Sequence, residues 1–326
     1  MNKINWGIIG CGDVCEVKSG PAFQIIENSS LVAVMRRNED KVKDFAKRHR
    51  VEKWYTNAEA LIHDNNVNAI YVATPPNMHA YYSIMSLNAG KPVYVEKPMA
   101  IDYTECLQMM ETSIKTGVPL FVAYYRRAFP YFLKIKEIVD NDEIGTVLTM
   151  NLTTILPPRE TDYNQKSPHW HIVSEISGGG YFFDLACHQL DILDFLLGPV
   201  EDVNGFYTNR ANIYQVEDTL VANLKFKSEI LGSCCWSYAG TINNETDRIE
   251  IFGTKGQVTF SITADSPIIL KDENGIKNLS FEKPKHVELP MIQEVVGSLL
   301  GKNSFKSNKE SASRTAWVMD KIMGRL

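Results

Sequence analysis

"WGIIGCGDVCEV", residues 6–17, decides how the rest of the chain is read. An apolar, β-branched run stops at Gly10, and a second glycine follows at Gly12. The pattern is G-x-G-x-x-[small], with Cys15 in the third place. Gly10 permits a tight turn, and Gly12 lets the backbone approach a pyrophosphate, whose charge then faces the N-terminus of the following helix. Cys15 is small enough for close helix–strand packing. A glycine-rich turn alone is often only a turn. Here strand, glycines, helix and next strand come in the order of a dinucleotide-binding unit. Gly10, Cys11, Gly12, Asp13 and Val14 are therefore the first cofactor candidates.

Outward from this turn, strand-like runs at Asn5–Ile9, Leu31–Met35, Ala69–Ala73, Pro92–Val95 and Leu120–Ala123 alternate with helical patterns such as "EDKVKDFAKRHR" and "YTECLQMMETSIKTG". Short apolar strands separated by helices predict a doubly wound parallel sheet with helices on both faces. The second strand ends in Arg36 and Arg37, where NAD binders usually carry an acid for the ribose 2′-hydroxyl. Guanidinium groups suit a 2′-phosphate instead. NADP is thus the expected cofactor, and Glu39 and Asp40 nearby keep NAD open. A solvated charged turn is the alternative reading of the two arginines.

After about residue 124 the pattern changes. "IGTVLTMNLTTIL" reads as a strand, and "GGGYFFDLACHQLDILDFLLGP" as a glycine-led amphipathic helix closing at Gly198-Pro199. Then come "VEDVNGFYT", "DTLVANLKF", "EILGSCCWSY", "RIEIFGT" and "GQVTFSI", strands without intervening helices, which predict a largely antiparallel sheet. Thr254–Gly256 reads as a hairpin turn, and "SNKESASRTAWVMDKIM" as a closing helix with a serine start. The expected organisation is residues 1–123 as a nucleotide-binding domain and 124–326 as a second domain, whose last helix can pack back on the first. A length of 326 residues suits two domains.

The net charge of −5, with no block of like charges, argues against a nucleic-acid or anionic-membrane surface. No apolar run is long enough for a bilayer, and the first residues enter a strand at once, so no signal peptide is expected. Cys11, Cys15, Cys106, Cys187, Cys234 and Cys235 form no C-x-x-C pair, and a chain of this size needs no disulfide staples. A reducing cytoplasm is the expected compartment.

"YVATPPNMHAYY" (71–82), "VYVEKPMA" (93–100), the triple-glycine segment at 178–198 and "RIEIFGTKGQVTF" (248–260) occur in an order and spacing that resemble the Gfo/Idh/MocA oxidoreductases. That family includes glucose–fructose oxidoreductase and inositol dehydrogenase. The resemblance runs nearly end to end. It implies an α/β fold: an N-terminal Rossmann domain plus a C-terminal α/β domain with a large open, mostly antiparallel sheet that commonly forms a subunit interface. A homodimer or homotetramer is expected on that basis.

The resemblance also distributes roles. "ATPPNMH" leaves a strand at its carboxyl end, where open α/β sheets bind ligands. Ala73, Thr74, Pro75, Asn77 and His79 are expected on the nicotinamide ribose side, and Asn77 can equally cap the next helix. In "EKP", two charges at the tip of a buried strand are costly unless paired or used. Glu96 is expected to line the cofactor site and Lys97 to sit beside nicotinamide and substrate. Pro98 restricts the Lys97 backbone. Asp184 and His188 are four residues apart on one helix face. His188 is expected as the acid/base and Asp184 as its orienting partner, with Lys97, Asp184 and His188 also touching substrate. Trp170 and His171 match a family W-R pair that contacts the cofactor or borders the substrate, with histidine replacing arginine; both are expected at the cofactor. Tyr125 is expected to face substrate and Arg127 to be structural. His169-x-His171 invites a metal, but no third ligand has suitable spacing, so no metal is expected. Asp191 and Asp194 read as ordinary helix charges.

The implied reaction is hydride transfer between a nicotinamide and the hydroxyl-bearing carbon of a sugar, cyclitol or related polyol. Two rival readings come from the same resemblance: a regulator that binds NAD(P) without turnover, and a reductase of a non-sugar substrate. Lys97, Asp184 and His188 in one chain speak against the regulator.

Overall fold

The computed structural model describes residues 2–164 and 166–326. The chain forms two compact units. The first runs up to Ala128 and adds Pro284–Ser313; the second is Phe129–Lys283 with Arg314–Leu326.

The first unit is built on six strands: β1 (Ile4–Ile9), β2 (Ser29–Met35), β3 (Lys53–Tyr55), β4 (Ala69–Val72), β5 (Val93–Val95) and β6 (Leu120–Val122). They pair in the order β3-β2-β1-β4-β5-β6, every pair parallel. This is the doubly wound order, with its topological switch between β1 and β4. The middle strands are buried on both faces, as their continuous apolar runs require. Their core includes a row of rings: Trp6–Phe23 at 4.8 Å, Phe23–Tyr71 at 5.2 Å and Tyr71–Tyr94 at 5.3 Å between centroids. The three-residue β3 was absent from the sequence-derived strand set.

Residues 124–128 and 284–313 extend this unit beyond position 123. The reason is the unpaired edge of β6. Asn308 takes the Val122 N–H on its Oδ1 (2.8 Å) and donates to the Val122 carbonyl (3.0 Å), and the Ser307 hydroxyl donates to the Leu120 carbonyl. Phe305 stacks on Phe121 at 6.0 Å. An exposed strand edge is thereby covered. The last helix runs Lys309–Ile322, and the same Ser307 hydroxyl accepts the Lys309 N–H at its start (3.4 Å).

The second unit carries β7 (Val147–Ile155), β8 (Val200–Thr208), β9 (Thr219–Phe226), β10 (Leu231–Ser237), β11 (Thr246–Gly253), β12 (Gly256–Phe260), β13 (Ile268–Asp272) and β14 (Gly275–Leu279). Their order is β14-β13-β12-β11-β7-β10-β9-β8. All neighbours are antiparallel except β7 and β10, which run parallel. Burial alternates along β9 and β10, so one face is packed and the other open.

The packed face receives the helix Cys187–Leu197, which is buried almost all round. A helix buried this way must satisfy its polar side chains internally. Gln189 donates to Thr154 (2.6 Å) on β7 and Asp247 (3.3 Å) on β11, and accepts from Trp236 (2.7 Å) on β10. Asp191 and Asp194 depart from their reading as ordinary helix charges, being 1% and 7% exposed. Asp194 accepts two bonds of 2.8 Å from Arg314, the bidentate geometry that makes a desolvated carboxylate tolerable.

Candidate functional site

In the first unit the candidate residues gather at the switch point. Gly10 leaves β1 with φ +91°, and a Cβ there would meet Thr74 Cγ2 at 2.8 Å and the Ala73 carbonyl at 2.9 Å. Glycine is obligatory, because the turn lies against the end of β4. The Gly10 and Cys11 N–H groups donate to the Met35 carbonyl, tying the turn to β2 as well (2.9 and 3.2 Å). Beside Gly12 the space is open, its nearest neighbour being the Gly10 carbonyl at 3.8 Å. Thr74 Oγ1 is buried without a hydrogen-bond partner among the described residues. An open backbone next to an orphaned hydroxyl suits a dinucleotide phosphate or ribose.

Asp13 is exposed and Val14 half-buried at the start of the short helix Asp13–Val17. The Cys11 and Cys15 thiols are buried; burial pushes Cys11 up to about 11 and Cys15 well above the usual thiol range, so both pack as protonated apolar groups. None of the six cysteines is in a disulfide. Arg36 turns back to the loop and donates to the Cys11 carbonyl (3.3 Å), whereas Arg37 is exposed. Glu39 pairs with Lys43 at 2.6 Å, and Asn38 caps the helix between them by accepting from Lys41 N–H.

His79 is 1% exposed, with Nδ1 2.8 Å from the Pro98 carbonyl and Nε2 2.8 Å from the Thr74 carbonyl. Both ring nitrogens are spent on backbone, so the imidazole ties the loop after β4 to the loop after β5. Burial lowers its pKa, and the two carbonyls act against that. Asn77 is half-buried in the turn Pro76–Met78 and makes no cap to the helix His79–Asn88. Lys97 is half-buried directly after β5, and the Lys97–Pro98 bond is cis.

Glu96 is buried beneath Lys97. It accepts from the Tyr71 hydroxyl (2.6 Å) and the Lys97 N–H (3.1 Å). A second carboxyl joins it from far along the chain. Glu288 is fully buried, and Tyr94 donates to it at 3.4 Å. Burial, followed by the charge of Glu96, pushes Glu288 well above the ordinary carboxylate range. Glu288 lies 192 positions from Glu96, and no motif marks it. Tyr125, in the same unit, is 8% exposed, and its hydroxyl accepts from Arg126 at 3.2 Å.

In the second unit the triple glycine brings the chain into close approach with its neighbours. A Cβ on Gly179 would strike the Phe183 ring at 2.3 Å, and one on Gly180 would meet Val216 at 2.8 Å. The Gly180 N–H donates to buried Glu217 (2.7 Å). The chain then forms one π-turn, Phe182–Ala186, before the α-helix begins at Cys187. Such turns recur at functional positions. Asp184 lies in it and His188 just after, both buried. The structure brings His171 to this pair: its Nε2 stands 3.4 Å from Asp184 Oδ2, and Trp170 stacks on its ring at 3.6 Å. Arg159 lies 4.7 Å over the Tyr181 ring, and Tyr181 donates to Asp162 at 2.6 Å. Among the described residues no group of three or more His, Cys, Asp or Glu is placed to hold a metal ion, and no helix is long and apolar enough to cross a membrane.

Comparison with known proteins agrees with this architecture. Residues 4–124 match the model for the oxidoreductase family with an NAD-binding Rossmann fold, and residues 132–259 match the GFO/IDH/MocA C-terminal domain. Oxidoreductase P35 of Formosa agariphila is 42% identical over 325 residues, 99% of each chain. The myo-inositol 2-dehydrogenase of Thermotoga maritima is 30% identical over 277 residues, 82% of this chain and 78% of that one. A levoglucosan dehydrogenase solved with NADH and L-sorbose superposes with a TM-score of 0.89 at 19% identity, covering 99% of this chain and 96% of that one; at that identity the likeness is one of fold.

The buried pair Glu96–Glu288 makes stability pH-dependent. Glu288 unfolds into an ordinary carboxyl of pKa about 4.5 and is held well above that when folded. Its contribution is complete below that value and drains away as pH rises toward the folded pKa. Glu288→Gln keeps the protonated shape. Its Tm should match the parent near pH 4.5 and exceed it by a margin that widens from about pH 5 to about pH 8. A margin that stays constant over that range would contradict the assignment.

Proposed function

The chain belongs to the Gfo/Idh/MocA oxidoreductase family, with that family's NAD-binding Rossmann fold, and from this premise we propose that it is a dehydrogenase of a sugar, cyclitol or related polyol. The observation that carries the reading is the survival of Lys97, Asp184 and His188 together, with Asp184 engaged by His171 at 3.4 Å. A cofactor sensor has no use for such a set. The inositol 2-dehydrogenase relative supports a polyol substrate.

A bound nicotinamide supplies a carbon that accepts or returns hydride. The chain's own residues handle the proton and the geometry. Lys97 donates to the substrate oxygen, and His188 takes its proton in oxidation or returns it in reduction. Asp184 steadies the imidazolium that results. Glu96 and His79 fix the backbone from which Lys97 projects. The half-exposed Thr74 loop and the glycine turn receive the dinucleotide, and Trp170 borders it. Tyr125 remains the proposed substrate contact. A cytoplasmic enzyme fits six cysteines without a disulfide.

His188→Ala and Lys97→Ala should each lower kcat by about 10²–10⁴-fold on the best substrate of a sugar and polyol panel, while cofactor still binds by fluorescence titration. Full turnover in both variants would remove the assignment, and cofactor binding with no turnover of any panel member would turn the reading to a sensor.

The preferred cofactor we propose is NADP(H). Arg37 is exposed at the end of β2, and the neighbouring Glu39 is already paired with Lys43. A charge-assisted bond to a 2′-phosphate contributes about 1.5–3 kcal/mol, so Arg37→Ala should cost about 10- to 150-fold in kcat/KM for NADPH and little for NADH. Equal parent kcat/KM for the two cofactors argues against it.

We further propose a homo-oligomer joined through the open face of the second sheet. On that face Phe206 pairs with Val221, and they are 79% and 45% exposed; the concavity around them measures about 440 Å³. Light scattering of the parent should give a dimer or tetramer, and Phe206→Asp should reduce its mass. A monomeric parent would end this proposal.

A further inference from the structure

His169 and His171 meet in an unusual way. Their Nδ1 atoms are 2.5 Å apart, the ring centroids 4.5 Å, and the ring planes within 12°. A face-to-face stack would keep the nitrogens further apart, so the rings meet edge to edge. Two bare lone pairs at that distance repel, and two N–H groups clash. One proton therefore lies between them. The other nitrogen of His171, Nε2, faces Asp184 Oδ2 at 3.4 Å. A proton on that nitrogen is attracted by the carboxylate, which leaves Nδ1 of His171 as acceptor and Nδ1–H of His169 as donor. His169 is only half-buried, which puts the far end of the chain near water. Trp170, stacked on His171 at 3.6 Å, holds the ring in this plane.

We propose that His169 and His171 form a proton relay between solvent and Asp184, resting on the dehydrogenase reading above. In carbonyl reduction, an acid in solution gives a proton to His169 Nε2. The His169 Nδ1–H bond breaks as a His171 Nδ1–H bond forms. The His171 Nε2–H bond breaks as Asp184 gains an O–H, and Asp184 then resupplies the proton that the substrate oxygen consumed through His188. No electrons move along the relay, and each passage inverts the tautomer of both rings. Hydroxyl oxidation runs the same series backwards and releases the proton to water. Both histidines act through Asp184 and are positioning residues. Other ionisable groups around them are otherwise engaged: Tyr181 donates to Asp162, and Arg159 lies over the Tyr181 ring. They set the background field of the relay and do not interrupt it.

The test uses the intact chain with NADPH or NADH and its best polyol. His171→Gln should lower kcat, by less than the ~10²–10⁴-fold that loss of the acid/base itself costs, and should alter the pH profile of kcat. Its kcat should then rise with added imidazole, which stands in for the missing ring. His169→Gln should show a smaller loss with the same buffer dependence. Independently of turnover, proton NMR of the parent should show a low-field resonance from the shared Nδ1 proton that vanishes in both variants. A loss in His171→Gln that imidazole does not restore would mean a packing role and overturn the relay. So would unchanged kcat and pH profile in a chain that turns over substrate, or a missing low-field proton. A parent that binds cofactor and turns over nothing would remove the dehydrogenase reading and the relay with it.

Discussion

The absence of a side chain at Gly10 is the constraint on which the first unit's site depends. One added carbon would sit within 3 Å of both Ala73 and Thr74, so any other residue must push the β1 turn away from the end of β4. These two strands flank the topological switch, where an open α/β sheet has its crevice. The turn is also held by the Met35 carbonyl at the end of β2, and His79 links the Thr74 carbonyl to the Pro98 carbonyl. Four strand ends, those of β2, β1, β4 and β5, are thus tied together, the first three by backbone contacts and the last through the His79 ring. Lys97 inherits its position from that set of ties.

Burial of ionisable groups is the second common thread. In the first unit a buried glutamate accepts from Tyr71 and from the backbone of Lys97, and a second buried glutamate stays protonated beside it. Two adjacent buried carboxylates could not both ionise without a cation between them. In the second unit the helix that carries His188 is enclosed on nearly all sides; its Gln189 is met by the sheet and its Asp194 by Arg314. Removing one partner of such a group leaves the other desolvated, which costs more than the bond itself contributes.

Much of this was legible in the sequence where local pattern decides structure. The parallel sheet followed from apolar runs alternating with helices, and the turn at Gly10 from glycine spacing. β8, Val200–Thr208, coincides with the stretch read as a strand. The misses have physical causes. β3 is three residues long and only half-buried, so it has no apolar run. β14 is exposed along nearly its whole length. The helix Pro130–Asp140 follows an aromatic-rich entry, residues 121–132, whose apolar run masks the helical period. The return of 284–313 to the first unit depends on Asn308 and Phe305 meeting β6 across more than 180 positions, and nothing local announces such a contact. Asp191 and Asp194 were misread for the same reason: their burial is decided by contacts distant in sequence, such as Arg314 on Asp194.

The exchange at position 171 shows how a departure from a family pattern carries information. The resemblance leads one to expect arginine there. A guanidinium beside Asp184 would be a permanent ion pair, because arginine does not release its proton in proteins. It would hold the carboxylate and lower its proton affinity at every pH. Imidazole has two nitrogens that can exchange roles, and its charge changes within the physiological range. With histidine in place, the partner of Asp184 becomes a group that can itself gain and lose a proton. The neighbour that makes this consequential is His169, two residues earlier and on the same edge of the ring. An arginine at 171 would have nothing to accept from it. The pair His169-x-His171 therefore makes sense as a unit, in which the second histidine gives the first a partner and the first gives the second an outlet.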